Sequence, residues 1–103
     1  MPEVQKVGKN HVELAWAPPT NDGGAKVTGY VIEKKPIGSD QWTKAVPYNV
    51  TDTHVVVGDL PENGEFEFRV KAVNKAGEGE PSSTTGRVKV TEFPSMISFR
   101  NLL

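Results

Sequence analysis

The chain has no cysteine, which removes disulfides, thiolate metal ligands and cysteine nucleophiles together. It leaves the compartment open, because a domain of this size buries enough surface to fold without staples. Histidine is scarce: His11 and His54 are the two present, and neither has a partner at metal-ligand spacing. No apolar run reaches the length of a membrane span, and Met1-Pro2-Glu3 lacks the basic and apolar regions of a signal peptide. Excess charge of either sign is missing too. Twelve basic against 13 acidic residues give a formal net charge of −1, interspersed along the chain, so no field exists to hold a nucleic acid or an anionic membrane. No serine has a base and an orienting acid placed near it by strand geometry. The sequence therefore nominates no catalytic residue, no metal ligand and no cofactor.

What is present is short-range alternation. At 103 residues the chain has room for one domain, and its hydrophobic period is two almost throughout, broken by Gly, Pro, Asn and Asp clusters, which argues an all-β fold. Seven runs are expected. Glu3 to Val7 comes first. Val12, Leu14 and Trp16 then alternate with His11, Glu13 and Ala15. Ala17 to Gly24 is an exposed loop, because two prolines remove ladder donors and two glycines admit positive φ. Val27 to Lys35 is the third strand, with Tyr30 and Ile32 on one face and Val31, Glu33 and Lys35 on the other. A short run from Gln41 to Val46 carries Trp42, and Thr53, Val55 and Val57 form the fifth. In the sixth, Phe66, Phe68, Val70 and Ala72 alternate without a break against Glu67, Arg69 and Lys71, which demands one buried face and a central position. Asn74 to Pro81 is expected as a hairpin loop and Arg87 to Thr91 as the closing strand. Pro94 ends the pattern, so the domain is placed at 1–94 and an apolar tail or linker at 95–103.

Seven short strands without a Cys…Trp…Cys spacing fit the sandwich architecture that immunoglobulin-like and fibronectin type III domains share. Specific residues narrow the choice. Trp16-Ala17-Pro18-Pro19, Tyr30, Leu60 six residues before Phe66-Glu67-Phe68-Arg69-Val70-Lys71-Ala72, and then Asn74, Gly77, Gly79 and Pro81-Ser82 resemble a fibronectin type III domain over nearly all of 2–93. The segment from Asn21 to Lys35 is similar to modules of the titin, twitchin, projectin and myosin-binding protein C group of muscle proteins. The resemblance implies a seven-stranded β-sandwich. One departure stands out: Phe66 occupies the position of the family's corner tyrosine, and the missing hydroxyl hydrogen bond should cost about 1 kcal/mol.

Trp16, Tyr30 and Phe68 are read as core filler between two sheets, since each sits on an inward position. Trp42 differs, because a short edge strand cannot bury a whole indole. It covers lysine side chains or anchors a partner, and it is the first choice for a contact residue. Glu33, Lys35, Glu67, Arg69 and Lys71 fall on the outer face of the sheet that pairs the third and sixth strands, as either a solvated face or a contact face. Asn21 and Asp22 in the long loop complete the candidate set. Gly77-Glu78-Gly79 is no phosphate loop, since no helix and no Lys-Ser or Lys-Thr pair follows it.

The function that the resemblance implies is a non-catalytic, load-tolerant spacer in a cytoplasmic filament protein of the sarcomere. Its implied partners are proteins such as myosin or adjacent immunoglobulin-like and fibronectin type III domains. The isolated domain is expected to be monomeric, and hydrogen bonds between its terminal strands are expected to resist force. The alternative is an extracellular adhesion or receptor module, for which Asn49-Val50-Thr51 supplies a glycosylation acceptor. A third reading has the domain flank a kinase, with the tail from Ser95 packed on that neighbour.

Overall fold

The computed structural model of the protein describes residues 1–19 and 25–92. Asn21, Asp22, the boundary near Pro94 and the tail from Ser95 lie outside the described residues. The strands run in the order β1 (Glu3–Val7), β2 (Val12–Ala15), β3 (Gly29–Pro36), β4 (Thr43–Lys44), β5 (His54–Val57), β6 (Glu65–Asn74), β7 (Gly77–Pro81) and β8 (Val88–Lys89). Among the described residues all regular structure is strand. One sheet has the order β1-β2-β5. The other has the order β4-β3-β6-β7, with β8 also on β6, and every pairing is antiparallel.

The alternation read from the sequence decides which side chains lie between the sheets. Val12 and Leu14 of β2, Val55 and Val57 of β5, Tyr30 and Ile32 of β3, and Phe66, Phe68 and Val70 of β6 are buried, joined by Leu60, Val88 and Val90. Phe68 is 0% exposed, and β6 is central, as its unbroken alternation requires. Trp16 departs from the expectation of a buried filler. It packs edge-on against Tyr30, with centroids 5.4 Å apart, but lies half-buried just past the end of β2. Its indole Nε1 is buried without a hydrogen-bond partner among the described residues. Val31 is the converse case: it is on the outward side of β3 and still buried.

The stretch Asn74–Pro81 is corrected from a loop to a strand. The turn shrinks to Lys75 and Ala76, where the Ala76 N–H donates to Asn74 Oδ1 at 2.8 Å and Gly77 takes φ of 120°, a conformation that a side chain would oppose. Glycines are poor strand formers by propensity, but here the ladder to β6 holds them. The closing strand is then interrupted between β7 and β8. Across the gap Val70 N–H donates to Ser82 Oγ at 3.0 Å and Phe68 N–H to Thr85 Oγ1 at 3.2 Å. The Ser82 and Thr85 amides donate back to the Val70 and Phe68 carbonyls. Two side-chain oxygens thus stand in for ladder carbonyls, so β7 and β8 occupy a single strand position in a seven-position sandwich.

The corner without its tyrosine closes through the backbone. The Phe66 ring is buried against Gly64, where a Cβ would lie 2.9 Å from it. The Gly64, Asn63 and Val90 amides donate to the Pro61, Val90 and Gly64 carbonyls respectively. Asn10 and Leu60 also exchange hydrogen bonds at this end. Val90 therefore lies at one pole with the β1–β2 turn, while Glu3, paired with Ala15, lies at the other. The terminal strands are not paired with each other: β1 bonds to β2, and β8 to β6. The expected force-bearing bonds are thus two separate ladders, one in each sheet.

Candidate protein-contact face

Register assembles the outward side of the larger sheet. Glu33 lies directly opposite Arg69 and also opposite Lys44, and Lys35 lies opposite Glu67. Directly opposed residues share a face, so β4, β3 and β6 present Lys44, Glu33 and Arg69 as one row with Lys35 and Glu67 beside it. The charges pair accordingly. Arg69 Nε donates to Glu33 Oε1 at 2.7 Å, and Lys71 Nζ, one step along β6, lies 3.4 Å from Glu33 Oε2. Lys35 Nζ is 3.1 Å from Glu67 Oε2, and Thr84 Oγ1 donates to Glu67 Oε1 at 2.8 Å. Lys71 also reaches Glu78 on β7 at 3.5 Å.

Trp42 lies over this network. The Arg69 guanidinium carbon is 4.2 Å from the indole centroid and Lys35 Nζ is 5.6 Å away, so the ring's negative face meets two cations already fixed by carboxylates. The side chains of Glu33, Lys35, Glu67, Arg69 and Lys71 are 13–23% exposed, covered by one another and by the indole. The hydrogen bond from Thr84, then that from Lys35, holds the Glu67 carboxyl below its usual value. Such an arrangement fixes an aromatic surface and its flanking charges in position before any partner arrives, which lowers the ordering cost of association.

Six of the eight contact candidates come together here: Trp42, Glu33, Lys35, Glu67, Arg69 and Lys71. Asn21 and Asp22 lie outside the described residues. Sequence reasoning missed Lys44, Thr84 and Glu78. Lys44 follows only from the β3–β4 register, Thr84 from the interrupted closing strand, and Glu78 was hidden by reading β7 as a loop. A separate cleft of about 260 Å³ at the pole of Pro2 is lined by Trp16, Pro19, Tyr30, Val70 and Glu80 among others. No group of three or more potential metal ligands occurs among the described residues. His11 Nε2 lies 3.9 Å from Glu13.

Residues 2–87 match the model of the family described as fibronectin type III domain. Human cardiac-type myosin-binding protein C is 38% identical over 90 residues, which is 87% of this chain and 7% of that protein. Drosophila melanogaster titin is 37% identical over 78 residues, 76% of this chain and a share of titin that rounds to 0%. A crystal structure of titin domains superposes with a TM-score of 0.83 at 30% identity, covering 89% of this chain and 31% of that one. The chain thus spans a small fraction of the curated relatives it matches. A sandwich whose sheets, central strand and corner follow this pattern, together with a family match over more than four-fifths of its length, places the chain in the fibronectin type III family, whose domains are non-catalytic modules.

Proposed function

We propose that the chain is a structural spacer and protein-contact module of a giant filament protein in the cytoplasm of the sarcomere, with thick-filament myosin or adjacent immunoglobulin-like and fibronectin type III domains as its partners. The observation that carries this reading is the likeness to myosin-binding protein C and titin over three-quarters or more of the chain. The geometry supports the spacer role. Glu3 and Val90 lie at opposite poles, so tension along the long axis shears β1 against β2 and β8 against β6, loading the bonds of each ladder together rather than one by one. Single-molecule extension of a tandem array of the domain should give a discrete unfolding peak per copy. Extension with nothing above linker stretching contradicts the role.

The extracellular alternative keeps one supporting observation, the exposure of Asn49 at the head of Asn49-Val50-Thr51. Secretory expression followed by intact-mass measurement decides it, since a chain without glycan removes that support.

A further inference from the structure

The contact face has spent its acceptors and kept its donors. All four carboxylate oxygens of Glu33 and Glu67 have a partner: Arg69 and Lys71 on one, Thr84 and Lys35 on the other. The guanidinium of Arg69 donates through Nε, and among the described residues its Nη groups make no hydrogen bond. An ammonium carries three protons, so Lys35 retains donors beyond its contact with Glu67. Lys44 is exposed beside Glu33 without an ion-pair partner among the described residues. Four cations (Lys35, Lys44, Arg69 and Lys71) thus stand against Glu33 and Glu67, two of them (Lys35 and Arg69) against the Trp42 indole, with Glu78 at the rim beyond Lys71 and the self-compensating Glu65–Arg87 pair at the start of β6. Since like charges meeting across an interface repel and opposite charges attract, this balance selects the sign of the partner.

Resting on the reading of this face as a contact surface, we propose that its occupant is an acidic segment of a partner protein. Carboxylates meet the free Nη edge of Arg69 and the Lys44 ammonium, and an apolar side chain covers the exposed part of Trp42. A planar guanidinium with an unoccupied edge takes a carboxylate through two parallel hydrogen bonds, and the stack on Trp42 holds that edge in a fixed orientation. A basic segment would leave these donors without acceptors and would find Glu33 and Glu67 already paired, with Glu65, itself bridged to Arg87, as the most exposed carboxylate on β3 and β6.

The test is an amide NMR titration of the chain with two short peptides, one alternating glutamate and leucine, the other lysine and leucine. The glutamate peptide should shift the Trp42 indole N–H and the amides of β3, β4 and β6 around it. Its affinity should fall about tenfold between low and physiological salt, and several-fold in Lys44→Glu. Lys44 is exposed and outside the ion-pair network, so that variant keeps the fold. A lysine peptide that shifts the same residues more strongly overturns the acidic partner and leaves the contact face standing. Glutamate-peptide shifts centred elsewhere, or none at millimolar concentration, overturn the proposal, and the contact face is then judged by its own titration with myosin rod.

Discussion

Trp42 and Glu67 decide most at the scale of single residues. Truncating Trp42→Ala removes the ring that covers Arg69 and Lys35, and a partly desolvated cation–π contact of this kind is worth about 1 kcal/mol. The urea midpoint should fall accordingly without a change in m-value. Glu67 makes a second prediction, through its depressed pKa. A carboxyl whose native pKa lies below its unfolded value adds stability that is fully present above the unfolded value. That stability disappears as the pH falls through the native one. The stability difference between wild type and Glu67→Gln should therefore be constant above the ordinary carboxylate value of 4.5 and shrink below it. Denaturation midpoints measured from pH 7 to pH 3 check this, and a difference that grows on acidification contradicts it.

Among the elements, the interrupted closing strand depends on two hydroxyls. Ser82→Ala or Thr85→Ala leaves the Val70 or Phe68 amide without an acceptor in a part-buried position, at a cost of roughly 1–3 kcal/mol each. Hydrogen exchange should accelerate first at the Val70 amide in Ser82→Ala and at the Phe68 amide in Thr85→Ala. Equal loss at all β6 amides would instead mean that the hydroxyls act only through global stability. These two hydroxyls also mark where the sequence stops being readable. β6 was legible because burial on one face writes itself into an alternation from Phe66 to Val70, and the break at Ala17–Pro19 because prolines cannot donate to a ladder, the rest of that expected loop lying outside the described residues. β7 was not, since Gly77, Glu78, Gly79 and Glu80 carry no apolar period, and the strand is defined by backbone bonds to β6 alone. The contact face was half legible. Periodicity put Glu33, Lys35, Glu67, Arg69 and Lys71 on one side, but the pairing of Glu33 with Arg69 and of Lys35 with Glu67 depends on a register that no local pattern specifies.

For the whole molecule, the two proposed roles meet only on β6. Load applied at the two poles would pass through the β1–β2 and β8–β6 ladders, and the proposed contact face, though it shares β6, uses Glu67 to Lys71, beyond the Glu65–Phe66 stretch that β8 holds. Substitutions at Trp42 should therefore alter partner affinity and leave the unfolding force of an array nearly unchanged. Replacing Leu14, which is 1% exposed on β2, by Ala should cost about 2–5 kcal/mol and weaken the array. An equal drop in unfolding force for both variants would show that the two functions are not separable.

Whether this fibronectin type III module meets a partner through one preorganised face is decided by a two-dimensional amide NMR titration of the chain with myosin rod fragments. Shifts should cluster on the Trp42 indole N–H and the amides of Glu33, Lys35, Lys44, Glu67, Arg69 and Lys71. Shifts confined to the β1-β2-β5 sheet, or no shifts at high concentration, would contradict such a face and leave the module a spacer alone.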